Sequence, residues 1–164
     1  MKFETKIKID FLDFIKESKF DYIKLGQAKG WILNNFPDPD GYSDEFLEPK
    51  YTSWRYGNIE FHFNKANELF LIYSDYLSEL DGGENLDIDK WIFEDYSKLN
   101  LTYVLTQLNI QEIDYCKSSD KIGIRLITKS GVELGFAKET DEVVGDINQL
   151  HMTSFSLIDK NKSA

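Results

Sequence analysis

The segment SWRYGNIEFHF, residues 53–63, constrains the fold more than any other part of the sequence. After the Gly57-Asn58 step, its apolar residues alternate with polar ones, which is the two-residue period of a half-buried β-strand. Because Gly-Asn steps favour tight turns, the segment predicts a β-hairpin. A second segment, KSGVELGF at residues 129–136, has nearly the same pattern and predicts a second hairpin.

Composition limits both the size and the partners of such a fold. The 164 residues are 41% hydrophobic and 29% charged, which suits one domain or two small packed halves. The net charge of −10 disfavours nucleic acid and anionic membranes as partners and favours a basic protein. A single cysteine, Cys116, allows no internal disulfide, and no secretory signal or membrane-length apolar run is present. We therefore expect a cytoplasmic protein.

Periodicity assigns the remaining elements. Helical spacing of apolar residues predicts helices over residues 8–18, 27–36 and 100–109, the last capped by Asn100 or Thr102. Residues 89–100 are predicted as a helical approach to that last helix. Residues 38–49 are predicted as an acidic loop, and residues 79–87, with Gly82-Gly83, as a linker. Two-residue periodicity predicts strands in residues 51–56, 58–63, 68–74, 112–118, 121–128, 131–137 and 147–155.

The two halves of the chain align with each other. Residues 21–36 match residues 95–110 at an offset of 74, and residues 58–63 match residues 131–136 at an offset of 73. The second match places Glu60 opposite Glu133. We therefore predict an α+β fold of two tandem repeats, residues 1–80 and 81–164. Each repeat would be a helix pair packed on a three- or four-stranded antiparallel sheet, together forming one globular unit.

The segments LGQAKGWILNNFPDP and WRYGNIEFHF, with the weaker NLTYVLTQLNI and SGVELGF, carry a family resemblance. Their order resembles the β-lactamase inhibitor protein fold, which also occurs in small lipoproteins of outer-membrane assembly. The resemblance implies tandem sheets that form a concave protein-binding face. The YGNIEFHF-type hairpin in a small acidic chain is also similar to immunity proteins of bacterial polymorphic toxin systems.

No segment carries a recognisable catalytic, cofactor or metal motif. The two histidines, His62 and His151, lack ligand partners at metal-site spacing, and we expect surface or interface roles for them. Cys116 lacks an activating signature and is expected to be a half-buried core residue. Glu60 and Glu133 could form a glycosidase-like carboxylate pair, but solvent-facing polar positions are the simpler interpretation.

These observations favour a non-enzymatic protein that binds a partner through the open face of its sheet. The specific hypothesis is an immunity-type inhibitor of a basic toxin, with acidic loops 38–48 and 79–89 attracting the partner. The alternatives are a small ligand-binding protein or enzyme with a pocket between sheet and helices, and a structural or assembly adaptor. In residues 53–56, the two-residue alternation leaves open which side chains face outward, Trp54 and Tyr56 or Ser53 and Arg55. The candidate partner-binding residues are Trp54, Tyr56, Glu60, His62, Arg125, Glu133, Asp38, Asp40, Asp44 and Glu45.

Overall fold

A computed structural model of the chain describes residues 3–43, 52–137 and 145–161. The helices are α1 (Phe11–Glu17), α2 (Lys29–Asn35) and α3 (Leu101–Ile110). The strands are β1 (Ile7–Asp10), β2 (Gly41–Ser43), β3 (Thr52–Tyr56), β4 (Ile59–Phe63), β5 (Leu69–Ser74), β6 (Leu86–Asp89), β7 (Tyr115–Ser119), β8 (Gly123–Thr128), β9 (Val132–Ala137) and β10 (Met152–Ile158). Short 3₁₀ turns occupy Leu77–Glu79, Trp91–Glu94, Tyr96–Lys98 and Ile147–Gln149.

Side-chain caps fix the starts of two helices. The Asp10 carboxylate accepts hydrogen bonds from the backbone N–H groups of Leu12 and Asp13 at 2.8 and 3.1 Å, so α1 begins after a short strand. The helix predicted over residues 8–18 is therefore shorter, because residues 7–10 form β1. The Asn100 side chain accepts from the N–H of Tyr103 and caps α3, as predicted. Helix α2 confirms the prediction for residues 27–36.

Eight of the strands form one antiparallel sheet in the order β2-β3-β4-β5-β10-β9-β8-β7. The first half of the chain supplies four neighbouring strands and the second half supplies the other four. The pair β5–β10 joins the two sets at the centre, with Ile72 opposite Leu157 and Ser74 opposite Phe155. The fold class is thus α+β with a large antiparallel sheet, and both predicted hairpins are present as β3–β4 and β8–β9.

One face of this sheet packs against the helices and holds the core. Ile59, Phe61 and Phe63 point into it and are fully buried, as the alternation predicts. Trp54 and Tyr56 point the same way, with 2% and 0% of their surface exposed. These two residues therefore belong to the core, and the candidate role of Trp54 and Tyr56 on the outer face was wrong. Buried residues of both halves form one continuous apolar cluster.

The segment predicted as a linker is firmly packed. Strand β6 pairs in parallel with β1, with Ile7 opposite Leu86. A Cβ atom on Gly82 would lie 2.6 Å from the Leu86 Cβ, so the backbone there is in close contact with the following strand. The Lys6 ammonium also donates to the Gly83 carbonyl at 2.9 Å. Residues 79–87 therefore attach to the first half and do not form a free connection.

Residues 89–100 differ most from the prediction. They form two 3₁₀ turns instead of a continuous helical approach. Trp91 has a positive φ of 47°, a conformation that an α-helix excludes. The Asp95 side chain then accepts from the N–H of Ser97 and starts a new turn, since Asp favours such local caps over a helix interior. Ile92 and Phe93 nevertheless reach the core.

Candidate functional site

The face of the sheet opposite the helices is the candidate site, and we call it the open face. A single row of neighbouring residues crosses it from one edge strand to the other. The row contains Gly41, Arg55, Glu60, Tyr73, Ser156, Glu133, Ile127 and Cys116. His62 lies beside this row on β4, and Arg125 lies beside it on β8. Four candidate residues, Glu60, His62, Arg125 and Glu133, therefore do share one face.

Each glutamate of this row has a neighbouring cation or imidazole. The Glu60 carboxylate lies 2.7 Å from the His62 Nε2, and this hydrogen bond is the main reason why the pKa of Glu60 is lowered. The Glu133 carboxylate lies 2.7 Å from the Lys160 Nζ and 3.7 Å from the Arg125 Nε. The side chain of Glu133 is only 12% exposed. The open face therefore holds internally compensated charge despite the acidity of the whole chain.

The two glutamates are too far apart for glycosidase chemistry. Tyr73 and Ser156 separate Glu60 from Glu133, which makes three interstrand spacings, or about 14 Å. Acid–base carboxylate pairs of glycosidases stand about 5–10 Å apart. The two carboxylates therefore do not form a pair with glycosidase spacing, although both lie on the open face.

A depression of about 300 Å³ lies in the second half of the open face. Its floor is made of small residues, Gly135, Ser154 and Ser156, and a Cβ atom on Gly135 would stand 2.7 Å from the Ser154 Oγ. Arg125 and Lys160 line it as well. Sequence reasoning missed these small residues. The signal was their alternation with the buried residues of β9 for Gly135 and of β10 for the two serines.

The acidic candidates lie at one end of the sheet, beside the β3–β4 turn. The Asp40 carboxylate accepts from the N–H of Gly57 at 2.6 Å and from the N–H of Glu84 at 3.0 Å. The Asp38 carbonyl accepts from the Asn85 side chain at 2.8 Å. Asp38 and Asp40 therefore tie the predicted loop to residues 79–85, while both remain exposed. Asp44 and Glu45 lie outside the described residues.

A second cavity lies outside the open face. A cleft of about 630 Å³ opens between the segment after α1 and the end of β10, with the β8–β9 turn as its third wall. Ile23, Leu25 and Leu157 provide apolar lining, and Lys24 and Lys160 provide cations. The mixture of apolar and charged groups is typical of small-molecule sites.

The remaining chemistry-bearing residues stay apart. Cys116 is exposed on the edge strand β7, so its expected place in the core was wrong. His151 contacts the ring of Tyr96, and its Nδ1 is buried without a hydrogen-bond partner within the described ranges. Among the described residues, no group of three or more potential ligands could hold a metal ion. In the same part of the chain, no helix has the length and apolarity to cross a membrane.

The fold and face define a two-layer α+β protein with an eight-stranded antiparallel sheet covered on one side by helices. Comparison of the chain with models of protein families, with curated proteins and with solved structures finds no match.

Proposed function

We propose that this chain is a non-enzymatic binding protein that covers a partner protein with the open face of its sheet. The observation that carries the proposal is the continuous row of residues across all eight strands, from Gly41 to Cys116. A sheet face of this width offers rigid backbone support for an interface, and Tyr73 at its centre is a favourable anchor. The specific form of the proposal is an immunity-type inhibitor that occludes a basic toxin.

Charge supports a two-stage encounter with a basic partner. The Asp40 and Asp81 carboxylates are fixed beside the β3–β4 turn, at the end of the sheet, because they accept from the N–H groups of Gly57 and Gly83. Fields from such a rim accelerate the approach of a basic protein, whereas the compensated pairs Glu60–His62 and Glu133–Lys160 favour specific docking. A cytoplasmic location belongs to the same proposal, because an exposed single cysteine suits a reducing compartment.

The proposal includes an origin of the face from two tandem repeats, residues 1–80 and 81–164. The sheet order supports it, because β2-β3-β4-β5 and β7-β8-β9-β10 run outward from the central pair in opposite directions. The register supports it too, since Glu60 and Glu133 occupy mirrored positions on either side of Tyr73 and Ser156. Within residues 3–43, 52–137 and 145–161, the helical layers differ, with two helices in the first half and one helix with 3₁₀ turns in the second.

The test is a pull-down with three forms of the chain. Ser156→Arg places a large cation at the centre of the open face, and Asn109→Arg places the same side chain on the exposed surface of α3. We expect a basic protein to be retained at low salt by the wild type and by Asn109→Arg, and to be lost with Ser156→Arg. Equal retention by both variants would refute the open face as the interface. An enzymatic turnover by the pure protein would refute the non-enzymatic proposal.

The cleft of about 630 Å³ favours a second candidate function, the binding of a small molecule between sheet and helices. Its volume lies in the range of ligand pockets, about 300–1,000 Å³. Empty pull-downs together with thermal stabilisation by a small molecule, reduced in Leu157→Arg, would support this candidate over the first. An adaptor that only self-associates would instead appear as an oligomer in size-exclusion chromatography.

A further inference from the structure

The outer edge of the second half is strand β7, and the proposed function makes no use of its outward-facing backbone groups. Strand β7 is the terminal strand of the sheet and pairs with β8 alone in the described part of the chain. Two bonds fix its ladder: Lys129 N–H donates to the Asp114 carbonyl at 2.8 Å, and Asp120 N–H donates to the Gly123 carbonyl at 3.0 Å. Hydrogen-bonded pairs recur at every second residue of an antiparallel ladder.

The alternation determines which backbone groups of β7 are free to bind another strand. Cys116 and Ser118 lie an even number of residues from Asp114 and direct their N–H and C=O groups toward β8. Tyr115, Lys117 and Ser119 direct theirs away from the sheet. The edge therefore offers three donors and three acceptors at the spacing of an extended chain.

This edge is basic, although the chain as a whole is strongly acidic. The hairpin β7–β8 and its flanking residue carry four exposed cations: Lys117, Lys121, Arg125 and Lys129. Lys117, Lys121 and Lys129 take part in no ion pair among the described residues. Asp120 is the only carboxylate between residues 115 and 130, so this stretch has a net charge of +3.

The tip of the hairpin favours a binding role as well. The Asp120 carboxylate is occupied by the backbone, because it accepts from the N–H groups of Ile122 and Gly123 at 2.8 and 3.0 Å. These bonds also lower the pKa of Asp120. Ile122 is 74% exposed at the tip. A large apolar side chain beside unpaired cations suits contact with a segment that is both acidic and apolar.

We propose that the β7 edge binds an extended, acidic segment of a partner protein, which adds a ninth strand to the sheet. Main-chain bonds to Tyr115, Lys117 and Ser119 would supply the pairing, and the hairpin lysines would select for acidic side chains. A second copy of this chain is a poorer occupant, since two β7 edges paired around Lys117 would bring like charges together. Nucleic acid is disfavoured by the net charge of −10.

The probe is a capped six-residue peptide that alternates glutamate and valine, titrated into the full ¹⁵N-labelled chain at low salt. We expect the amide signals of Tyr115, Lys117 and Ser119 to shift and to become protected from hydrogen exchange. The matching peptide with lysine for glutamate should bind at least about tenfold more weakly, which corresponds to about 1.4 kcal/mol. Added salt should reduce this difference, because it screens exposed charges.

Two variants separate the backbone from the charge. Lys117→Pro removes an outward N–H group and leaves the Cys116 and Ser118 bonds to β8 in place, so it should abolish peptide binding with β8 signals unchanged. A triple variant should weaken acidic-peptide binding about tenfold; it carries Lys117→Gln, Lys121→Gln and Lys129→Gln. If the proline variant unfolds, this triple variant tests the proposal by itself. The triple change Lys8→Gln, Lys65→Gln and Lys98→Gln removes the same charge elsewhere and should leave binding intact.

Several outcomes would overturn the proposal. Equal affinity for the acidic and basic peptides would remove the charge argument, and shifts confined to residues outside β7 would place the binding elsewhere. A single-stranded RNA of matching length that moved the same amides at lower concentration would identify nucleic acid as the occupant. Protection of these amides in the protein alone, together with dimers in sedimentation, would identify a second copy. None of these outcomes depends on the open face, so this proposal and the proposed function can fail independently.

Discussion

The two hairpins predicted from the sequence, β3–β4 and β8–β9, have very different surroundings at their turns. Each turn contains a glycine with positive φ, 58° at Gly57 and 96° at Gly131. A Cβ atom on Gly57 would lie 2.1 Å from the Asp81 Oδ1 and 2.6 Å from the Gly83 nitrogen. The nearest atom to a Cβ on Gly131 would be the Leu157 Cδ1, at 3.8 Å.

The difference shows that a turn's conformation and the strength of its attachment have separate origins. The conformation follows from the residues of the turn itself. The attachment depends on a segment that is distant in sequence, since the first turn is held by Asp40 and by the loop at residues 79–85. The second turn borders the cleft and is held by one distant bond, from the Ser130 hydroxyl to the Ile15 carbonyl at 2.7 Å, while the space beside Gly131 is open. The first hairpin should therefore be less tolerant of added volume at its turn glycine.

The largest effect is expected at the two glycines. Alanine at either position meets the cost of positive φ, about 1–2 kcal/mol. Gly57→Ala also drives its methyl group into backbone atoms of residues 81–83, which adds about 1–3 kcal/mol. Urea unfolding should therefore show that Gly57→Ala is destabilised more than Gly131→Ala by about 1–3 kcal/mol. Equal losses would contradict the difference in packing around the two glycines.

A smaller effect is expected at the buried hydroxyls beside the two turns. Tyr56 donates to the Pro37 carbonyl at 2.9 Å, and Thr128 accepts from the N–H of Val132 at 3.1 Å. Tyr56→Phe and Thr128→Val should each cost about 1–2 kcal/mol at neutral pH, because each leaves a backbone group without its partner. Matched urea titrations of both variants would measure this.

The stabilities of Tyr56→Phe and Thr128→Val should also differ in their dependence on alkaline pH. Burial raises the pKa of Tyr56 well above its ordinary value, so its neutral phenol stabilises the fold fully below the unfolded-state pKa, near 10. This contribution is lost as pH rises above that value. Tyr56→Phe should therefore lose stability less steeply above about pH 10 than Thr128→Val does. If the stability of Tyr56→Phe falls as steeply with pH as that of Thr128→Val, another group causes the fall. One such group is Tyr73, because burial raises its pKa to about 12.

The smallest effect is expected on the open face, at Glu60 of the first hairpin. Its pKa is lowered mainly by the hydrogen bond from His62, so the stabilisation is present above the unfolded-state pKa and is lost as pH falls through the folded value. Glu60→Gln should cost less than about 1 kcal/mol near neutral pH, because the pair is partly exposed. This cost should vanish in acid. Glu133→Gln, at the mirrored position, is the control and should retain the pH dependence that Glu60 supplies.

The local elements were predictable because their signals are local. The Asn100 cap, the alternation around Phe61 and the glycine turns each depend on residues within a few positions of one another. The failure at residues 8–10 was non-local. Nothing near Ile7 indicates that it pairs with Leu86, far along the chain, and the helix predicted from residue 8 is interrupted by that pairing.

The residues of the candidate site likewise divide into those that local alternation predicts and those that only tertiary contacts decide. Alternation assigned Glu60 and His62 to the outer face correctly, because the opposite positions on β4 are strongly apolar. On β3 the alternation has apolar bulk only at Trp54 and Tyr56, with Arg55 between them, and the sequence left both orientations open. The contact that settles the orientation is tertiary: Trp54 packs against the Phe63 ring with centroids 4.6 Å apart.

The central place of β10 has a consequence for synthesis on the ribosome. This strand follows every other strand of the sheet along the chain, yet it inserts between β5 and β9. A nascent chain therefore carries two separate partial sheets, each with an unpaired inner edge, until residues 152–158 leave the exit tunnel. At about 5–20 residues per second, the interval between completing β5 and completing β10 lasts several seconds. During that interval the apolar edges of β5 and β9 are open to wrong pairing, so β10 is the segment that ends the chain's exposure to aggregation.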